Sequence, residues 1–115
     1  MTLRQKQSRF ASLVPRLIDF AIASGYEIVI GEVYRSPEEA KRLAALGLGS
    51  LKSLHISKLA IDLLLFKDGK YLTKTEDYAH VGLYWEELSN GTIDTVWGGA
   101  FGDGNHFSIA HEGRK

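Results

Sequence analysis

The sequence predicts an α+β fold: a small single domain with a mainly antiparallel sheet flanked by helices. Its 115 residues match the size of one domain, which typically holds about 100–150 residues. Helical and strand-like segments are mixed without the regular alternation of β-α-β units, which argues against a doubly wound parallel sheet. No linker, repeat or low-complexity stretch separates them. We therefore expect residues 1–115 to form one compact unit.

The amino-terminal region is predicted to be helical and then extended. Apolar residues recur there at spacings of three, four and seven, the period of a helix with one buried face: Leu3, Phe10, Leu13, Leu17 and Ala21. Because proline interrupts helices, we expect a short helix ending near Ser12 and a second helix from about Pro15 to Ser24. The β-branched residues of 26–33 predict a strand, which we expect to be central in the sheet.

The clearest local signal is Ser36-Pro37-Glu38-Glu39. Serine as the N-cap, proline at the first helical position and glutamate at the third form a capping box that begins a helix. The apolar positions of this helix end before Gly47. Thr73 and Glu76 form a second possible capping box, which would begin a helix running to about Ser89.

The second half of the chain is also predicted to supply most of the strands. The first two should flank a tight turn, and Asp68-Gly69 is a turn dipeptide that leads into the third. In chain order the predicted strands are residues 53–55, residues 59–66, residues 70–72, a short strand at Val96 and residues 105–110.

Composition excludes several classes of function. The 14 basic and 14 acidic residues give no net charge, so the broad basic surface of a nucleic-acid-binding protein is missing. No apolar run approaches the ~20 residues that span a bilayer. Without cysteine, the chain forms neither disulfides nor thiolate metal ligands. The polar, basic amino terminus has no following apolar segment typical of a signal peptide, so we expect a protein that stays in the cytoplasm until something else releases it.

Two of the four histidines are candidates for chemistry. His80 lies in a predicted helix and His111 in a charged tail, so we assign both the structural role that a lone histidine usually has. His55 and His106 differ, because each has a carboxylate at a useful distance along the chain.

Asp62 is the carboxylate that follows His55. It lies in an apolar strand, where an unpaired buried carboxylate is costly and needs a partner. A single straight strand would place His55 and Asp62 on opposite faces, but a chain reversal near Ser57 and Lys58 would bring them together. A bound metal would satisfy Asp62; so would an ion pair with Arg35 or Lys58, or an exposed position on an edge strand.

A glycine-rich segment, residues 97–107, places Asp103 three residues before His106. Together, His55, Asp62 and His106 would offer two imidazoles and one carboxylate. That set suits zinc with a vacant fourth position, whereas structural zinc sites are usually closed by four ligands. An open site implies catalysis or substrate binding. Asp103 is then the candidate proton acceptor.

Arg35 follows the predicted strand of residues 26–33 and precedes the cap of the next helix. A fixed cation at that position can stabilise an oxyanion, which makes Arg35 a candidate catalytic residue. An arginine that lies on the surface or in an ion pair is an equally good interpretation.

These residues together resemble a known family. Ser53-x-His55 with Asp62 after six further residues, followed by Asp103-x-x-His106, is similar to the SxHxxGxAxD and (E/D)xxH motifs of the D-Ala-D-Ala carboxypeptidase (VanY-like) metallopeptidases. These enzymes belong to the LAS group, named for lysostaphin, D-Ala-D-Ala peptidases and sonic hedgehog. Tyr34-Arg35-Ser36 fits the arginine motif of that group. Residues 97–107 are most similar to the phage endolysin branch, the L-alanyl-D-glutamate peptidases.

The resemblance covers roughly residues 8–110 and implies a hedgehog/D-Ala-D-Ala-peptidase-like fold. It implies one zinc ion held by three ligands, with a general base beside it; these residues are His55, Asp62, His106 and Asp103. It further implies that Arg35 and Ser53 bind substrate or stabilise the transition state. Trp97 would line the cleft, although ordinary core packing explains this tryptophan as well.

The implied substrate is the peptide stem of bacterial peptidoglycan, cleaved at the L-Ala–D-Glu bond. A D-Ala-D-Ala carboxypeptidase of the same fold is one alternative, and a catalytically inactive zinc-containing binding module is another. A metal-free domain with structural histidines is the third, and manganese or cobalt could replace zinc. We expect a monomeric catalytic domain with no separate wall-binding module, no nucleic-acid partner and no membrane insertion, released from a phage-infected cell.

One residue departs from the motif. Lys58 stands where the family usually has glycine. If that position requires a positive φ, lysine carries a modest strain there. Lys58 would also bring a positive charge near the metal.

Overall fold

The computed structural model describes residues 1–115 as three α-helices and five strands. The helices are α1 (Leu3–Ala23), α2 (Pro37–Ala45) and α3 (Ala79–Glu87). The strands are β1 (Glu27–Ile30), β2 (Ala60–Lys67), β3 (Lys70–Tyr71), β4 (Thr95–Trp97) and β5 (His106–Ile109). Two short 3-10 helices, Thr75–Tyr78 and Gly98–Phe101, precede α3 and follow β4.

All strand pairs are antiparallel, in the order β1-β2-β5-β4, with β3 paired to the end of β2. The predicted α+β class with an antiparallel sheet is therefore confirmed. The register of the two inner strands, β2 and β5, places Asp62 directly opposite His106. Side chains opposite one another in an antiparallel pair lie on the same face of the sheet, so this register brings the two residues together.

The hydrophobic core lies between the sheet and two of the helices, α1 and α3. The buried face of α1 consists of Phe10, Leu13, Leu17 and Ala21, four of the five residues that the spacing predicted. Trp85 of α3 is fully buried; its indole Nε1 donates to the carbonyl of Ser108 in β5 at 3.0 Å. The indole thus ties α3 to the strand that carries His106. None of the helices is long and apolar enough to cross a membrane.

The prediction that Pro15 divides the first helix is wrong. Helix α1 continues from Leu3 to Ala23 with Pro15 inside it. Proline removes the hydrogen bond to the carbonyl four residues earlier, but here both Pro15 and Ala11 are exposed, so water can reach that carbonyl. Packing of the buried face on either side of Pro15 keeps the helix continuous.

The prediction of a central strand over residues 26–33 is wrong in length and position. Strand β1 covers Glu27–Ile30 and lies at the edge of the sheet, paired with β2 alone. Its Val29 and Ile30 side chains are exposed. An apolar, β-branched run looks the same in sequence whether it pairs with a strand on both sides or on one side only. Strand β1 pairs on one side only.

Residues 53–55 are not a strand, and so no tight hairpin joins them to β2. They form overlapping turns, in which Ile56 N–H donates to Ser53 O at 3.2 Å and Ser57 N–H donates to Leu54 O at 3.1 Å. Leu54 anchors the turns because its side chain is buried in the core. The chain reversal between His55 and Asp62 is therefore present, but turns produce it rather than a strand pair.

One of the two predicted helix caps is present and the other is not. Ser36 caps α2, because its Oγ accepts from Glu39 N–H at 3.1 Å. The Thr73–Glu76 box is wrong: the carboxylate of Asp77 accepts from Lys74 N–H at 3.2 Å, and a 3-10 helix intervenes before α3. The Asp68-Gly69 turn is confirmed, with positive φ at both residues, as a two-residue hairpin turn requires.

Candidate metal centre

Three side chains from distant parts of the chain converge at one point. His55, Asp62 and His106 each offer one ligand atom, and these atoms lie within 4.8 Å of one another. Asp62 Oδ1 is 3.3 Å from His55 Nε2 and 3.9 Å from His106 Nδ1. The arrangement could hold one metal ion. It is the same set that the sequence motifs implied.

The backbone aims the His55 ring. Its Nδ1 donates to the carbonyl of Val33 at 3.0 Å, because a carbonyl can only accept. In the neutral ring the proton therefore resides on Nδ1, and the lone pair of Nε2 lies on the side of Asp62; in the protonated ring Nε2 donates to Asp62. An outer hydrogen bond of this kind fixes the tautomer and orientation of a metal-binding histidine.

The surroundings shift the pKa of His55 and His106 in opposite directions. Burial alone lowers the pKa of His55, but the hydrogen bonds to Asp62 and to the Val33 carbonyl, with the nearby carboxylates, raise it overall. For His106 burial dominates and lowers the pKa, against the opposing effect of Asp103. His106 is thus a neutral imidazole near neutral pH, the form that binds metals.

The donor set fits a metal ion. The Nδ1 atom of His106 faces the carboxylates of Asp62 and Asp103, and its Nε2 atom is buried without a hydrogen-bond partner. With the proton on Nε2, the lone pair of Nδ1 points toward Asp62. Two ring nitrogens and one carboxylate oxygen then lie within 4.8 Å of one another, a donor set that suits zinc and similar ions.

Asp103 lies beside the three-residue cluster and is not one of its members. Its Oδ2 atom is 3.9 Å from His106 Nδ1, and 52% of its side chain is exposed. Burial is the main effect that raises the pKa of this carboxyl; Asp62 adds to it, while His106 and His55 oppose it. A carboxyl with a raised pKa, open to solvent, is suited to accept and return a proton.

Glycines shape the loop that carries Asp103. Asp103 N–H donates to Gly98 O at 2.9 Å, and a Cβ at Gly98 would collide with the carbonyl oxygen of Asp103. Trp97 braces the same loop: its indole Nε1 donates to Gly104 O at 2.7 Å, and its ring packs against Gly82 and the hydrophobic core. Trp97 does not line the cavity at the metal centre, so its position corresponds to the packing interpretation.

A cavity of about 280 Å³ opens onto the metal centre. Arg35 and Ser53 both line it, and the Oγ of Ser53 also accepts from His55 N–H at 3.2 Å. Sequence reasoning missed several lining residues, which have no local signal because only the fold brings them to the cavity: Leu48, Gly49, Ser50, Leu54, Phe101 and Lys115. Of these, Phe101 places its ring centroid 5.7 Å from that of His106.

Arg35 is both an ion-paired and a cavity-lining residue. Its guanidinium donates to the two carboxylate oxygens of Glu32 at 3.1 and 2.6 Å. Gly49 lies next to the guanidinium. A Cβ atom at position 49 would lie 3.2 Å from Arg35 Nη1, so glycine leaves room for the arginine side chain. Asp62 has no ion pair with Arg35 or Lys58, and so the two histidines are its partners.

Lys58 does adopt the positive φ that the motif's glycine suggested, at 58°. Its ammonium lies 5.2 Å from the centroid of the Tyr34 ring, outside the cavity.

The other two histidines lie apart from this centre. His80 is at the surface of α3, in contact with Phe20 and with the hydroxyl of Ser24 at 3.2 Å. His111 lies near the carboxyl terminus, where its Nδ1 is 3.2 Å from Lys6 Nζ. Neither belongs to the metal cluster.

Comparison with known proteins bears on the fold. No protein-family model matches the sequence, and no curated protein sequence matches it at a significant level. Among solved structures, the crystal structure of the Serratia marcescens L-Ala D-Glu endopeptidase ChiX matches with a TM-score of 0.67 and 24% sequence identity. The match covers 87% of this chain and 79% of that chain. At this identity the likeness establishes a ChiX-like fold, here with a His–Asp–His cluster that could hold a metal ion.

Proposed function

We propose that this protein is a zinc metallopeptidase that cleaves the peptide stem of bacterial peptidoglycan at the L-Ala–D-Glu bond. The observation that carries the proposal is the convergence of His55, Asp62 and His106 within 4.8 Å, beside a free carboxylate and on a fold like that of ChiX. Three protein ligands leave a coordination position for water or substrate, which is typical of catalytic rather than structural zinc.

Zinc at these ligands would supply a water of pKa ~7 and polarise the scissile carbonyl. The chain itself supplies the proton transfer. Asp103 Oδ2 takes the proton of the attacking water and passes it to the leaving amine as the peptide bond breaks. Its raised pKa favours the first step, because a carboxyl that holds a proton more tightly accepts it more readily from water. The leaving amine is a stronger base than a carboxylate, so it takes the proton in the second step.

Arg35 and Ser53 act on the substrate side of the cavity. The Arg35 guanidinium uses part of its donor set on Glu32, and its remaining N–H groups are available to the oxyanion that forms as the carbonyl is attacked. Ser53 Oγ binds the substrate backbone while it holds the turn of His55. Trp97 acts indirectly, by holding the loop of Asp103.

The choice of scissile bond rests on two supports. The glycine-rich segment of residues 97–107 resembles the endolysin branch of the LAS peptidases, and the matched structure is described as an L-Ala D-Glu endopeptidase. We extend the proposal to residues 1–115 acting as one catalytic domain of this kind. A phage lysis enzyme is the biological role that fits it.

Digestion of purified peptidoglycan, followed by mass analysis of the new termini, tests the proposal. We expect new amino-terminal glutamate and carboxyl-terminal alanine on the stem. Release of free D-alanine would instead identify a D,D-carboxypeptidase. Zinc binding without any cleavage would identify an inactive binding module, and failure to bind metal would leave a metal-free domain.

Two variants assign the proton-transfer role. Asp103→Ala should abolish cleavage and retain zinc, because Asp103 is not one of the three clustered ligand residues. Asp94→Ala is the matched control, since its side chain is exposed and makes no hydrogen bond or ion pair. Loss of zinc from Asp103→Ala would make Asp103 a ligand and would contradict the assignment.

A further inference from the structure

Glu32 contacts two residues of the proposed site, Arg35 and His55. Its carboxylate accepts two hydrogen bonds from the Arg35 guanidinium, at 3.1 and 2.6 Å. The same Oε1 atom lies 3.6 Å from Nδ1 of His55. One half-buried carboxylate is therefore shared between the candidate catalytic cation and a candidate metal ligand.

The backbone around Glu32 is held as firmly as its side chain. Gly31 N–H donates to Asp62 O at 2.8 Å, and Asp62 N–H donates to Glu32 O at 2.9 Å. Further along, Arg35 N–H donates to His55 O at 3.1 Å. Residues 31–35 are thus tied by backbone hydrogen bonds to two of the three ligand residues, and the carboxylate of Glu32 has a fixed position relative to both.

We propose that Glu32 is a positioning residue that orients Arg35 toward the substrate and places a negative charge behind the His55 ring. This inference rests on the proposed function. The bidentate pair fixes the plane of the guanidinium, which leaves the remaining N–H groups of Arg35 available to a substrate in the cavity that this residue lines. The charge behind His55 strengthens Nε2 as a donor to a cation, as carboxylates beside metal-binding histidines do.

Two substitutions in the Glu32–Arg35 ion pair should differ in their effects on metal affinity. Glu32→Gln keeps the shape of the side chain and removes its charge, so zinc should bind about 3- to 10-fold more weakly. This is below the ~10–100-fold typical of such partners, because the Val33 carbonyl remains the direct acceptor for His55. Arg35→Met removes a positive charge near the site and frees Glu32 to approach His55, so zinc should bind equally or more tightly.

A matched control exists on α2. Glu39 and Arg42 form the same kind of bidentate pair, three residues apart, on the protein surface. Glu39→Gln removes the same charge from the same type of ion pair but lies outside the cavity. Zinc affinity and turnover of this variant should equal those of wild type.

Competition with a chromophoric chelator measures zinc affinity without any turnover, and the visible spectrum of bound Co²⁺ reports on the ligand geometry. With a wall peptide as substrate, Glu32→Gln should lower kcat by about tenfold or more, with KM changed less than twofold, because Arg35 acts on the transition state. Glu32→Asp, which keeps the charge, should bind zinc more tightly than Glu32→Gln. Thermal unfolding confirms that each variant is folded.

The proposal is supported if Glu32→Gln weakens zinc binding while Arg35→Met does not. It is overturned if both variants shift affinity in the same direction, if Glu32→Gln equals Glu39→Gln in affinity and kcat, or if wild type binds no zinc. A wild-type protein that binds zinc but cleaves no wall peptide would refute the proposed peptidase function. The two affinity measurements would then still decide whether Glu32 supports the metal centre.

Discussion

The backbone at Lys58 predicts that glycine would relieve strain at this position. Lys58 has φ 58°, a left-handed conformation that costs about 1–2 kcal/mol for a residue with a Cβ atom. Glycine adopts it without that cost. The lysine side chain offsets part of the strain through its contact with the Tyr34 ring, 5.2 Å from the ammonium, which contributes about 0.5–1 kcal/mol at an exposed site.

Comparing Lys58→Gly with Lys58→Ala isolates the backbone effect, because both variants lose the ammonium. The glycine variant gains about 1–2 kcal/mol from φ and loses about 0.5–1 kcal/mol because its unfolded chain has more freedom. We therefore expect Lys58→Gly to have a free energy of unfolding about 1 kcal/mol greater than that of Lys58→Ala. For a domain near this size, that difference corresponds to roughly 4 °C in Tm.

Urea unfolding followed by circular dichroism at 25 °C measures the difference. If Lys58→Ala proves as stable as Lys58→Gly, the strain argument is refuted. Both variants should retain metal affinity and peptidase activity, since Lys58 lies outside the cavity. Loss of metal binding in both variants would show that the lysine side chain holds the turn of His55, contrary to its position over Tyr34.

Three further predictions concern the metal, the core and the loop of Asp103. Zinc at ~100 times its Kd should raise the free energy of unfolding by about 2.7 kcal/mol, so a chelator should lower Tm in wild type and leave Tm unchanged in His106→Ala. Burial raises the pKa of Tyr78 above its ordinary 10.0, so the hydroxyl loses its proton at a lower pH in the unfolded chain than in the folded protein. The free energy of unfolding should therefore fall above pH ~10, and it should fall less steeply in Tyr78→Phe. Urea titrations at pH 8 and 10.5 measure the difference. Gly98→Ala should lower the free energy of unfolding by about 1–3 kcal/mol and remove most of the activity, because the new Cβ collides with the Asp103 carbonyl. In the control Gly91→Ala the new Cβ meets nothing within 4 Å, so stability should change by less than ~0.5 kcal/mol. Equal losses of stability in the two variants would contradict the packing at Gly98.

The residues that converge at the metal centre could be predicted because their chemistry is local. A carboxylate at Asp62 in an apolar strand, and a histidine three residues after Asp103, are conspicuous in sequence whatever the fold. The route by which they meet was harder to predict. Residues 53–55 contain apolar Leu54 and resemble a strand, yet they form turns, because burial of Leu54 in the core outweighs strand propensity.

Errors in the predicted elements have a common cause. Whether Pro15 breaks a helix depends on which side of the helix faces water, and whether residues 26–33 form a central strand depends on which strands lie beside them. Both are tertiary properties. Glu32 was overlooked for the same reason, because its significance lies in its contacts with Arg35 and His55 and not in its own neighbourhood along the chain.

The charges around the cavity explain why a divalent cation suits this fold. Glu32 and Arg35 compensate one another in their ion pair, which leaves the carboxylates of Asp62 and Asp103 facing the neutral His106 ring. The two carboxylates repel each other, which is one reason that the pKa of Asp103 is raised, and a divalent cation would balance their charges. Without a cation, a proton on His55 supplies part of that charge, which is why Asp62 helps to raise the pKa of His55 despite its burial. The same electrostatic demand thus accounts for a raised pKa in the protein alone and for the metal that we propose.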